Sequence, residues 1–347
     1  MSNHDLIRKD FLRQAVACEY LGSPFTVRIC RLLAEGLTEK TRFGKHILNW
    51  QGKPDSDALP LRAAGAFHAL KRQGDAGLFA VYPPNEADNE TLWRALEAAM
   101  AGHDDFLTRF LDSAPQTNEV SRSSAILGLA LHVAKRVGLP LDVYEIGASG
   151  GLNLGFDAYA YELGDARWGD TASPVKIVSE WQGAAPPLDT ALHVVSRRGS
   201  DINPLDASDK GQRERLLSYI WPDQTARLAR IEAALEATAR GGTRIEKADA
   251  ADWVEREFAV PGVKGRARVL MHTIMWQYLP NGIQARIEAA MEKAGERATK
   301  EAPIAWAWVE QDEKENVSAG VRLRLWPDGT DEELGRADFH GRWVRWG

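Results

Sequence analysis

The chain has 347 residues, 44% of them hydrophobic and 27% charged, and no low-complexity tract, enough for a full core and more than one domain. A formal net charge of −6 argues against a general nucleic-acid-binding surface, which needs clustered Lys and Arg, although a small basic patch stays compatible with it. Asp5, Arg8, Lys9 and Asp10 interrupt the N-terminus and no run approaches membrane-spanning length, so a cytoplasmic protein is expected.

Up to about residue 137 the apolar spacing is helical. Phe11, Leu12, Ala15, Val16 and Cys18 make one face, and Val27, Ile29, Cys30, Leu32 and Leu33 make another. The two cysteines, Cys18 and Cys30, read as buried thiols. Leu92, Trp93, Leu96, Ala99 and Met100 repeat the spacing, with Asp88 or Asn89 available as a cap. Gly77–Pro83 is the strand-like piece of this half, ended by a Pro-Pro pair. A helical domain over residues 1–120 is expected to precede an α/β domain over 121–347.

After residue 140 strands and helices alternate. Predicted strands are Leu141–Ile146, Val175–Trp181, Ala191–Ser196, Thr243–Lys247, Ala267–Ile274, Ile304–Val309 and Val321–Trp326. Predicted helices are Leu152–Glu162, Gln212–Arg240 and Asn281–Thr299. Such alternation implies a mainly parallel sheet covered on both faces. No helix separates the last strands, and the turn Trp326-Pro-Asp-Gly-Thr330 points to a closing antiparallel hairpin that reaches Trp343–Trp346.

Two chemistries can be written on Leu141-Asp-Val-Tyr-Glu-Ile-Gly-Ala-Ser-Gly-Gly-Leu-Asn-Leu154. Gly147-x-Ser149-x-Gly151 has the letters of a hydrolase nucleophile elbow, with Asp249 or Glu310 and then His340 to complete a triad. That fold needs strands and an oxyanion loop upstream, where this chain is helical. A dinucleotide fingerprint would require glycine at Ser149 and Leu152, and no phosphate-loop lysine follows.

Read as Glu145-x-Gly147-x-Ser149-x-Gly151, the same stretch looks like the first loop of S-adenosylmethionine-dependent methyltransferases. Glycines there let backbone approach a nucleoside, and helix amides help to hold an anion. The resemblance implies that Glu145 accepts from the methionine ammonium or orders its water shell. Arg197-Arg-Gly-Ser-Asp201 looks like the second motif, which makes Asp201 the ribose acid. It lies 50 residues beyond Gly151 where roughly 20 is usual; an inserted strand at Val175–Trp181 would explain the gap and makes Glu180 a rival. Glu246-Lys-Ala-Asp249 resembles the third motif, with Asp249 toward the adenine and Asp252 as the cap of the next helix. Ligands in an open parallel sheet bind beyond the strands' carboxyl ends. That places His272, Trp276, Gln277 and Tyr278 near methyl transfer, with His272 and Tyr278 as catalytic candidates and His272 as a proton acceptor.

Leu59-Pro-Leu-Arg62, Pro115-Gln-Thr-Asn-Glu119, Tyr144–Leu154, Arg198-Gly-x-Asp201-x-x-Pro204, Trp221-Pro-Asp223 and Trp276-Gln-Tyr-Leu279 together resemble an uncharacterised bacterial family of unknown function, over nearly the whole chain. The resemblance implies a helical N-terminal part joined to a Rossmann-like methyltransferase sheet. It also makes Gln116, Asn118 and Glu119 substrate-side candidates. The expected protein binds S-adenosylmethionine and methylates a small molecule by direct displacement; a non-catalytic binding or scaffold protein of the same fold is the alternative.

Overall fold

The computed structural model describes residues 3–315 and 317–347. Its contacts divide the chain into two units, Met1–Thr117 with Lys210–Ala229, and Asn118–Asp209 with Arg230–Gly347.

The first unit opens with seven helices, α1 (Asn3–Tyr20), α2 (Pro24–Gly36), α3 (Arg42–Leu48), α4 (Leu59–Arg72), α5 (Ala76–Val81), α6 (Asn89–Gly102) and α7 (Asp104–Phe110). Local chemistry sets their starts. Ser23, Thr41, Asp75 and Asp88 each accept from a backbone amide of the first turn, satisfying donors that the helix leaves open. Asp88 is therefore the cap of α6. Of Gly77–Pro83, the part up to Val81 is helical, not extended: Asp75 caps it, and Leu78 and Val81 bury one face at i, i+3 while Phe79 is 57% exposed. Phe11, Phe43 and Phe67 anchor the core, and Cys18 and Cys30 sit together as free buried thiols beside Trp221.

The second unit begins with α8 (Ser123–Val137) and β1 (Leu141–Ile146). There follow β2 (Ala160–Leu163), β3 (Ala166–Trp168), β4 (Lys176–Gly183) and β5 (Val194–Asp201). Two helices come next, α9 (Lys210–Ser218) in the helical unit and α10 (Thr225–Gly241), which spans the division at Ala229. The chain closes with β6 (Ile245–Lys247), α11 (Ala250–Phe258), β7 (Ala267–Thr273), α12 (Asn281–Gly295), β8 (Ile304–Gln311), β9 (Ala319–Trp326), β10 (Thr330–Ala337) and β11 (Trp343–Trp346).

These strands form one sheet in the order β3-β2-β4-β11-β10-β9-β8-β7-β1-β5-β6. From β8 to β6 it is parallel; β8 through β11 form an antiparallel meander. The fold is therefore α/β with a mostly parallel central sheet. The insertion between Gly151 and Asp201 supplies β2, β3 and β4, which extend the sheet past β11 at the far end from β1. Glu180 lies on β4, with five strands between it and β1, whereas Asp201 ends β5, directly beside β1.

Two predicted helices are corrected. Gln212–Arg240 is broken between α9 and α10, where Pro222 lacks an amide and Asp223 instead accepts from the Ser23 hydroxyl at 2.5 Å and the Phe25 amide at 2.8 Å. Leu152–Glu162 contains no α-helix: a 3-10 segment, Leu152–Ala158, leads into β2. The Tyr159 hydroxyl donates to the Leu152 carbonyl and that of Tyr161 to the Phe156 carbonyl, so side chains take acceptors that an α-helix would use. No helix among the described residues is long and apolar enough to cross a membrane.

Candidate functional site

The strand order reverses at β1. From β1 the chain moves outward to β5 and β6, then returns to β7 on the other side, and crevices at such points are where open α/β sheets bind ligands. The turn after β1 is tight and left-handed at three positions: Gly147 (φ 65°), Ser149 (φ 51°) and Gly151 (φ 73°). A Cβ on Gly151 would lie 2.7 Å from Ile245 Cδ1, and one on Gly147 would lie 2.9–3.0 Å from three atoms of Met275. The left-handed backbone favours glycine at both, and at Gly147 the Met275 Cβ and Cγ leave no room for a side chain.

Asp201 holds this turn from β5. Its Oδ2 accepts the Ser149 amide at 2.8 Å and its Oδ1 the Asn203 amide at 2.8 Å. From the other side, Asn118 Oδ1 accepts the Leu152 amide at 2.9 Å. Arg197 ties the 3-10 segment to β5 through both Asp157 oxygens, at 2.5 and 2.7 Å, and the Leu154 carbonyl at 3.0 Å.

Several polar groups of this corner lack partners among the described residues. Glu145 is 1% exposed, and its Oε2 has no hydrogen-bond partner. Burial, reinforced by the negative charge of Asp201 and opposed by Arg122, pushes its carboxyl up to about 8; desolvation disfavours the charged form. Asn153, on the 3-10 segment, is also 1% exposed with both amide atoms unpaired, and the buried Ser149 hydroxyl is unpaired too. Burying such groups without partners costs about 1–3 kcal/mol each, and their concentration beside one turn makes this corner the candidate site. Sequence reasoning passed over Asn153, although it lies within the quoted motif; an amide just after a glycine turn is the signal that was there to use.

The remaining candidates fall elsewhere. Strand alternation puts Glu145 on the face it shares with its paired neighbours Gly199 and Met271, and His272 on the opposite face with Trp308. His272 is buried between Trp276, stacked at 5.0 Å, and Trp308. The Trp306 indole N–H donates to its Nε2 at 2.9 Å, so Nδ1 carries the proton given to Glu310 Oε1 at 2.7 Å. Both ring nitrogens are thus engaged inside the protein. Trp276, Gln277 and Tyr278 form a 3-10 turn after β7, with Gln277 exposed and Tyr278 74% exposed. Asp249 is the cap of α11, accepting the Ala251 and Asp252 amides at 2.9 and 3.2 Å; the cap expected at Asp252 is one turn earlier. Glu119 is buried and accepts the Ser121 amide at 3.1 Å, with Arg230 at 3.8 Å. Gln116 belongs to the helical unit.

For an elbow nucleophile the geometry offers no paired base. The Ser149 hydroxyl has no hydrogen-bond partner among the described residues, Glu310 is committed to His272 and the Met275 amide, and Asp249 to its helix.

No curated protein and no solved structure matches this sequence. A family model does match, over residues 8–346, and by that match the chain belongs to the bacterial family described as "Uncharacterized protein conserved in bacteria (DUF2332)".

Proposed function

We propose that the protein binds S-adenosylmethionine at the carboxyl ends of β1 and β5 and transfers its methyl group to a small molecule. The observation that carries this reading is the buried carboxyl of Glu145, whose Oε2 has no partner among the described residues, next to a left-handed glycine turn at the reversal of strand order. A cationic ammonium is the partner such a carboxyl lacks, and its arrival would favour the ionised form.

In this reading Asp201, already fixed by two amides, keeps lone pairs for ribose hydroxyls. Gly147, Ser149 and Gly151 let the nucleoside approach backbone, and Asp249 lies at the end of the segment expected to meet adenine. The methionine carboxylate would not meet an α-helix N-terminus here, because the turn runs into a 3-10 segment; the Asn153 amide and Ser149 hydroxyl are the donors to take that role. Methyl transfer is a direct displacement, so the protein's part is to position donor and acceptor and to exclude water. Gln277 and Tyr278 would be on the acceptor side. His272 has no ring nitrogen open for proton transfer, so the acceptor is expected to be a nucleophile that needs no strong base.

Calorimetric titration with S-adenosylhomocysteine tests this. Micromolar binding is expected, weakened at least tenfold by Asp201→Ala and by Gly147→Val. Absence of heat at millimolar ligand would overturn the reading and leave the non-catalytic scaffold as the surviving one. Ester hydrolysis lost in Ser149→Ala would revive the elbow.

A further inference from the structure

The bend that follows β7 is held in a conformation its own residues disfavour. Ile274 has φ 47°, a left-handed backbone that is an outlier for a β-branched side chain. The next residue, Met275, has its side chain against Gly147, with Cβ, Cγ and Cε all 2.9–3.0 Å from where a Cβ on that glycine would be. Met275 therefore fills the space over the glycine turn that the absence of a side chain creates.

What holds the bend is a carboxylate at the end of β8. Glu310 is 5% exposed, and both its oxygens accept the Met275 amide at 3.1 Å. Its Oε1 also receives the His272 Nδ1 proton, and His272 is fixed in turn by the Trp306 indole and by stacking on Trp276. A buried carboxylate is tolerated when donors satisfy it, and here each donor belongs to β7 or the bend beyond it. Strain at a position so over-determined is the kind found at ligand clamps and switches. Methionine, unbranched with three rotatable bonds, can fill a gap and also leave it.

We propose that Glu310, together with His272, is the positioning residue that locks the Ile274–Met275 bend, and that Met275 is thereby held as a plug over Gly147 which withdraws when a nucleoside-bearing ligand occupies the turn. The plug rests on the function proposed above; the lock does not. His272 then has a use that its two engaged nitrogens fit: it orients Glu310.

Hydrogen exchange of the full chain, read by mass spectrometry, tests the lock without ligand. Glu310→Ala is expected to raise exchange over residues 274–279 at least tenfold, with β1 and β8 protected as before. Should that variant fail to fold, Glu310→Gln, which keeps one acceptor oxygen, is expected to give a smaller rise confined to the same residues. No rise, or an equal rise across the whole sheet, would overturn the lock. Met275→Ala tests the plug: S-adenosylhomocysteine is expected to bind at least fivefold tighter than to the wild type. Equal or weaker binding would overturn the plug. Absence of binding by either protein at millimolar ligand would remove the plug together with the proposed cofactor, while the exchange result still decides the lock.

Discussion

Glu145→Gln isolates a buried carboxyl shifted far from its ordinary range. Its carboxyl moves from an ordinary 4.5 to about 8 because it is buried, with Asp201 adding repulsion. Below about pH 4.5 the group is protonated folded and unfolded alike, and stability is unaffected. Between there and about 8 the unfolded chain ionises while the folded protein does not, so stability falls by about 1.4 kcal/mol per pH unit. Above about 8 both forms are ionised and the loss is complete, on the order of 4–5 kcal/mol in total. Glutamine has the shape of the protonated acid and cannot ionise. Urea unfolding of both proteins from about pH 5 to about pH 9 is therefore expected to give similar stabilities at the acid end. Toward the alkaline end the variant becomes progressively the more stable. Titrating groups that do not interact with Glu145 cancel in the difference. Parallel stability curves would refute the reasoning, because they would mean that Glu145 is solvated or already paired.

Asp201→Asn removes the charge that helps to raise Glu145, so the pH window of that instability should move toward acid, seen in the same unfolding series as a lower midpoint. Asp249→Ala deletes the cap of α11 and should lower stability by about 1 kcal/mol, measured by chemical denaturation; no change would mean that the two amides find other partners. Gly341→Ala places a Cβ 2.3 Å from Ser121 backbone at φ 72°, where nothing flexible can yield, and a loss of about 3 kcal/mol or more is expected from overpacking plus the left-handed backbone. Gly329→Ala is the control: with φ 69° but open space around it, it should lose only about 1–2 kcal/mol by the same denaturation assay.

The periodic parts of this chain were legible in its residues. β1, β7 and β8 are apolar runs with clear ends, and the caps at Asp75 and Asp88 follow from side-chain chemistry. Side-chain hydrogen bonds, near and distant in sequence, defeated periodicity elsewhere. Tyr159 and Tyr161 divert the Leu152–Glu162 segment from α-helix by hydrogen bonds with backbone carbonyls, and α9 is parted from α10 around Pro222 and Asp223, which bonds to Ser23 and Phe25 some two hundred positions away. At the site, the motif pointed to the turn and to Asp201 on the neighbouring strand. It did not separate the faces of the sheet, so His272 and Glu145 were grouped although alternation puts them on opposite sides. Nor could it show Met275 over Gly147, since only the register of β7 against β1 brings the two together.

The most direct test of the central claim is a crystal structure of the protein grown with millimolar S-adenosylhomocysteine. The ligand is expected beyond the carboxyl ends of β1 and β5, its ammonium on Glu145, its ribose against Asp201, and Met275 displaced from Gly147. A ligand bound away from those strand ends, or crystals that take up none while Glu145 remains unpartnered, would contradict it.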